Sequence, residues 1–339
     1  MREVFMRVNL SRHYLVASIG FALAAIAGSA AKAQMSAPLV GLVDVGNLGP
    51  GEIRPVLGVL GASYLQAPVA LSREISRIYL APIGGWALVQ QRGRAPGLIA
   101  FAGSVPGAVQ TIADAAPNAV LVSFSPMGRS AGLLFTGGNI QVLTGLAATP
   151  QVAFQVNFYD PSGVKKMAVS DDGKLLAVLT GAGQVYMLSN STGPQVAYSG
   201  SALLGIAFLP NQATVVIADG SNGTIDLANM AGGEPFVQTV AVGVSSSGGE
   251  TLVAASPDGA SAYVVELGGT SACRIELATG SMQTIALPAV ATRLDRLRDG
   301  DSFVFSAEPG RSAWFLTGKD AGLQAVFAAA ASTTEVRRP

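Results

Sequence analysis

A chain of 339 residues carries 21 basic and 21 acidic side chains, with charge at only 12% of positions and apolar residues at 50%. Charge so sparse and so balanced cannot neutralise a run of phosphates, which excludes nucleic acid as a partner. The single cysteine, Cys273, excludes an internal disulfide, so the fold must be held by its core alone.

The first element in chain order is residues 1–33. Arg2, Arg7 and Arg12 precede an uncharged run from Leu15 to Ala31, and Ala31-Lys32-Ala33 closes it. A basic start, a short apolar run and a small-x-small site are the three parts of a cleavable secretory signal. The uncharged run is short for a bilayer span, and no Cys stands at the cleavage point for a lipid anchor. The expectation is an exported protein, periplasmic or extracellular, with no membrane span after cleavage. Removing residues 1–33 takes away four basic residues and one acidic, leaving 17 against 20.

Residues 38–60 read as two strands joined by a Gly-Pro-Gly turn. After them one pattern recurs: an apolar run, a turn, a second run, a Gly/Asn/Ser turn and a third run. The clear copies are 121–143, 167–188, 206–227 and 252–277, with weaker ones at 77–101 and 293–316. Gly85, Gly128, Gly173, Gln212, Gly259 and Gly300 mark the first turn, at steps of 43, 45, 39, 47 and 41 residues. A fourth short run follows each copy: AVQTIA, QVAFQV, PQVAY, PFVQTV, MQTIAL and LQAVFA. Four short strands per unit at a period near 43 predict an all-β fold, a single β-propeller of four-stranded blades over residues 34–330. Six repeats are clear, and the N-terminal strands either close the ring or form a partial seventh blade. Residues 331–339 have no pattern and are expected to be a disordered tail. Ser123, Ala168, Ala207 and Ala254 share one position of the innermost strand, where crowding about a propeller axis favours small side chains.

Ser256-Pro257-Asp258-Gly259, followed by Ala-Ser-Ala-Tyr-Val-Val, resembles the SPDG-x-x-x-YV core of YVTN-type bacterial β-propeller repeats, and Ser170-Asp171-Asp172-Gly173 is similar. The resemblance extends over about residues 38–330 and implies a blade architecture. Some propellers of this kind hydrolyse lactones over the central channel. No residue here matches such a site.

The one histidine, His13, lies inside the signal segment. The mature chain therefore has no imidazole, which excludes Ser-His-Asp and Cys-His catalysis and His-bound metals. No cofactor and no metal site are expected. Cys273 lies in an alternating stretch and is expected to be a buried small residue. Asp160, Asp171, Asp172, Asp219, Asp258, Asp299 and Asp301 all fall at turns, where Asp accepts backbone N–H groups. Asn190-Ser191-Thr192 and Asn222-Gly223-Thr224 match the glycosylation acceptor pattern, at turns that favour Asn in any case.

Charges on the inner strands are few: Arg77, Lys165, Lys166, Arg293, Asp295 and Arg296. Arg77, Lys166, Arg293 and Asp295 are the candidate site at the channel mouth. They would form a mainly basic rim for an anionic group such as a carboxylate or uronic acid. Equally, the side chains would reach solvent or pair with one another, Arg293 or Arg296 with Asp295. The residue types favour a monomeric binding or scaffold module for a protein or glycan partner over an enzyme. The alternatives are a carboxylate-based hydrolase, lactonase-like or glycan-active, at the channel mouth, and a structural component of a surface assembly.

Overall fold

The computed structural model describes residues 37–46, 52–83, 85–146, 148–230, 235–244, 250–298, 301–308, 312–318 and 322–331. The expected signal at 1–33 and all but the first residue of the expected tail lie outside them. Among the described residues every regular element is a strand.

An N-terminal unit comes first: β1 (Leu39–Asp44), β2 (Ile53–Leu57) and the short β3 (Tyr64–Leu65). Blade 1 is β4 (Ile75–Leu80), β5 (Trp86–Gln91), β6 (Gly97–Ala102) and β7 (Val105–Thr111). Blade 2 is β8 (Leu121–Phe124), β9 (Ala131–Leu134), β10 (Asn139–Thr144) and β11 (Gln151–Asn157). Blade 3 is β12 (Val164–Val169), β13 (Leu175–Thr180), β14 (Gln184–Ser189) and β15 (Gln195–Ser199). Blade 4 is β16 (Leu203–Phe208), β17 (Thr214–Asp219), β18 (Thr224–Asn229) and β19 (Phe236–Val242). Blade 5 is β20 (Thr251–Ala255), β21 (Ser261–Glu266), β22 (Ser271–Glu276) and β23 (Met282–Ala286). Blade 6 is β24 (Asp295–Arg296), β25 (Ser302–Glu308), β26 (Ser312–Thr317) and β27 (Gln324–Ala330). Blades 1 to 5 are separate four-stranded sheets, and blade 6 joins the N-terminal unit in one sheet of seven strands. The fold is a β-propeller, and its fourth strands are the six runs that close the sequence repeats.

Alternation along each strand buries one set of side chains against the blade before and the other against the blade after. Seven apolar clusters result, one at each interface around the ring. Ring closure is legible in β1 and β2. Leu42 and Ile53 pack against blade 1, while Val43 and Val56 pack against blade 6. Cys273 is buried in the cluster between blades 4 and 5, and desolvation pushes its thiol pKa up.

The N-terminal unit closes the ring in an unusual sense. β3 pairs in parallel with β27, Tyr64 opposite Ala329, and every other pairing in that sheet is antiparallel. Alternation from β24 out to β27 and back through β3 makes β1 run against β24. Accordingly Gly41 lies against Leu297, beyond the end of β24, and the Asp44 carbonyl accepts from Arg293, ahead of its start.

The first turn of each blade follows from its residues. In Ser125-Pro126-Met127-Gly128 and its copies in blades 3 and 5, the first Ser accepts the N–H of the fourth residue. Gly128, Gly173 and Gly259 have φ of 66°, 66° and 71°, the conformation glycine adopts freely. Blade 4 reads Leu209-Pro210-Asn211-Gln212, and there Asn211 takes the positive φ, 54°. That is a turn with Pro second and Asn third, which removes the need for Gly at 212. In blade 1 the Ala81 N–H bonds to the Trp86 carbonyl, as Ser125 does to Ser130. By that register Gly85 corresponds to Arg129, one position beyond the place expected from sequence.

Candidate functional site

Inner strands from all six blades, together with β1, surround a cavity of about 500 Å³. Ser123, Ala168, Ala207 and Ala254 stand on its wall, where the sequence placed small residues. On β24 and β4 the same register position holds Asp295 and Tyr79, which also line the cavity.

The end at which β8, β12, β16, β20 and β24 finish is cross-tied. Asp171 occupies the Pro position of its turn and is 7% exposed. Its carboxylate accepts the Met127 N–H of blade 2 at 2.7 Å and the Asn211 N–H of blade 4 at 2.8 Å. Arg129 Nη1 donates to Asn211 Oδ1 at 2.9 Å, spanning blade 3. Arg296 crosses from blade 6 to blade 2, donating to the Pro126 carbonyl at 2.8 Å with its guanidinium 5.6 Å from the Phe303 ring centroid. Burial lowers the Arg296 pKa, against the opposing influence of Asp301 and Asp171.

The opposite end, where the inner strands begin, holds the remaining charges: Lys165, Lys166, Glu250, Arg293, Asp295 and Asp44. Lys165, Glu250 and Asp295 are exposed there. Lys166 reaches past blade 4 to Glu250 Oε1 at 3.2 Å and donates to the Thr251 carbonyl. Gly205 permits this reach. A Cβ there would lie 2.6 Å from the Thr251 carbonyl oxygen and 2.8 Å from Val253 Cγ2, so β16 and β20 can approach only without one. Arg293 pairs with Asp295 at 3.0 Å. Asp44 Oδ1 accepts the Gly46 N–H at 2.9 Å. Desolvation raises the Asp44 pKa, against that hydrogen bond and the charge of Arg293. Desolvation lowers the Lys166 pKa, against Glu250.

Of the four residues singled out from sequence, Lys166, Arg293 and Asp295 line the cavity. Arg77 is exposed on β4 and is not part of the wall. The β-bulge between Ile75 and Arg77 recurs between Val164 and Lys166, so it does not account for the difference between Arg77 and Lys166. Sequence reasoning missed Asp44 and Glu250. Glu250 was within reach of the repeat register, lying six positions before Ser256 just as Val164 precedes Ser170. Asp44 was not, because its place depends on the reversed direction of β1. Among the described residues no group of three His, Cys, Asp or Glu could hold a metal ion.

A ring of antiparallel sheets about a channel tied at one end defines a β-propeller built around a small central cavity. Residues 157–291, blades 3 to 5 with their connections, match the family of the lipoprotein LpqB β-propeller domain. The match supports the bacterial β-propeller that the repeats resemble, without the YVTN-type motif itself. Among solved structures, a functionally unknown protein from Desulfotomaculum acetoxidans superposes with TM-score 0.56 at 13% identity, over 86% of this chain and 99% of its own. A candidate 6-phosphogluconolactonase from Bacteroides fragilis gives TM-score 0.56 at 15% identity, over 89% and 97%. Hydrazine synthase of Kuenenia stuttgartiensis gives 0.52 at 12%, over 81% and 89%. Such low identities establish the fold alone. No curated protein sequence matches the chain.

Proposed function

We propose that this is an exported binding propeller that takes a small polar ligand, or the terminal group of a protein or glycan partner, into the end of its channel where the inner strands begin. The cavity itself carries this reading. It has the size of a small-molecule site, is apolar at mid-depth and polar at one end, and is cross-tied at the other by Arg296. Lys166, Arg293 and Asp295 are its proposed binding residues. The likeness of blades 3 to 5 to a lipoprotein's propeller domain supports export, as does the basic, apolar, small-x-small pattern of residues 1–33. No helix among the described residues is long and apolar enough to cross a membrane.

The hydrolase reading has less behind it. Asp44 is the one cavity carboxylate with a raised pKa, and the fold likeness to a candidate lactonase carries no residue across. Lys166 and Arg293 already face carboxylates, so a doubly charged phosphate would have to displace Glu250 and Asp295. Equilibrium titration of the protein with a panel of small sugars, acidic sugars and peptides tests the proposal. Saturable binding that is weakened by Arg293→Met or Lys166→Met is the expected result. Turnover of a lactone at a rate that depends on Asp44 would favour the hydrolase instead.

A further inference from the structure

The charges on the cavity wall are paired one by one, and the pairing leaves a remainder. Lys166 is held by Glu250 and the Thr251 carbonyl. Arg293 is held by Asp295 and the Asp44 carbonyl. Arg296 is held by the Pro126 carbonyl and the Phe303 ring. Among the described residues Lys165 has neither an ion pair nor a hydrogen bond. The Asp44 carboxylate accepts only the Gly46 N–H, on Oδ1. One cation and one carboxylate of the same cavity therefore have no ion-pair contact, although the charge of Arg293 is felt at Asp44.

Their places in the ring are set by the fold. Lys165 lies on β12 and Asp44 ends β1. Around the ring the inner strands follow in the order β1, β4, β8, β12, so the two residues stand on opposite walls. Both are at the end where the inner strands begin, because β1 is reversed. A β1 running with the other inner strands would carry Asp44 to the cross-tied end. Below them the wall of blades 2 to 5 is small and uncharged, with Ser123, Ala168, Ala207 and Ala254, and Asp295, at the same register on blade 6, is held by Arg293.

A ligand matching this arrangement carries opposite charges at its two ends and none between. We infer that the channel takes a linear zwitterion, a free peptide of two or three residues, with its carboxylate against Lys165 and its ammonium against Asp44. This deepens the binding reading above and rests on it. A single amino acid carries both charges on one carbon and has no length of chain between them. Two or three residues extend over about 7–11 Å, a span suited to a cavity of about 500 Å³. A polyanion would meet Glu250, Asp295 and Asp44 as well as Lys165, and a neutral sugar would leave both remaining charges unmatched. The desolvation that raises the Asp44 pKa is a cost that an arriving ammonium offsets.

The test is calorimetric titration of the full chain at pH 7 and low salt with trialanine, N-acetyl-trialanine, trialanine amide and glucuronate. Trialanine is expected to bind, and blocking either end to weaken binding at least tenfold. Asp44→Asn keeps the acceptor for Gly46, and Lys165→Met removes no partner, so both variants are expected to fold. In Asp44→Asn, acetylating the amine should make no further difference. In Lys165→Met, amidating the carboxylate should make none. Absence of trialanine binding, or equal binding of capped and free peptides, overturns the inference. Glucuronate binding that is lost in Arg293→Met, with no response to trialanine, overturns it while leaving the channel-end binding reading intact.

Discussion

The two ends of the channel are built from the same strands and use charge in opposite ways. Where the inner strands finish, Asp171 and Arg296 satisfy backbone of neighbouring blades: Asp171 holds two N–H groups and Arg296 a carbonyl. Where they begin, Lys166 and Arg293 pair with exposed carboxylates, and Lys165 and Asp44 have no ion-pair contact. Buried polar groups stabilise only when fully hydrogen-bonded, so the first end is structural. Exposed ion pairs contribute little, so the second end can carry recognition at small cost to the fold.

The largest effect should come from the tied end. Asp171→Ala strands two N–H groups and removes a charge facing Arg296, and should destabilise the fold by about 3 kcal/mol. Urea unfolding measures this, and a loss under about 1 kcal/mol would deny that end its structural role. Gly205→Ala comes next. Its Cβ would press on Thr251 and Val253 at a cost of about 1–3 kcal/mol, and ligand affinity should fall with stability because β20 carries Glu250 and Thr251 to the site.

Acid should act on the turns and leave the open end nearly untouched. The Ser256 hydroxyl and the Ala260 N–H hold the Asp258 carboxyl below its usual value. Burial raises the pKa of Asp219 and of Asp172, but hydrogen bonds outweigh it and both remain lowered, those to Asp219 coming from Ser221 and Tyr198 and those to Asp172 from Ser170 and Lys174. A folded pKa below the unfolded one gives stability that is present above about pH 4 and lost as pH falls through the folded value. The urea midpoint should therefore hold from pH 7 to 5 and decline below 4. Asp44 has the opposite sign, since its raised pKa costs stability above the unfolded value, so Asp44→Asn should raise the midpoint at pH 7 while weakening ligand. Smallest is Lys166→Met. It removes a desolvated ammonium paired with an exposed Glu250, and stability should stay within about 1 kcal/mol of the parent, on the favourable side.

Much of the ring was legible in the sequence because its strands are local and its turns carry their own chemistry. The 43-residue step, the small residues at 123, 168, 207 and 254, and the fourth strands all follow from patterns inside one blade. What escaped depends on contacts between blades. Asp171 reads as a local turn cap, yet its carboxylate serves the turns of blades 2 and 4. Lys166 and Glu250 lie 84 positions apart and meet only because Gly205 lets β16 and β20 close up. Arg77 shares the register of Lys166 but lies off the cavity wall. Asp44 was invisible because the reversal of β1 comes from the β3–β27 pairing, two residues long and without a turn motif.

The one-ended channel is tested most directly by the rate at which a small charged thiol reagent labels Ser123→Cys on the cavity wall. The native Cys273 is 9% exposed, and burial raises its pKa, so it contributes a slow background. Labelling should slow when Lys165→Trp narrows the open end and should not change when Pro82→Trp adds bulk at the tied end. A rate that slows with Pro82→Trp and ignores Lys165→Trp would show that the channel opens at the other end, and would contradict the assignment of the site.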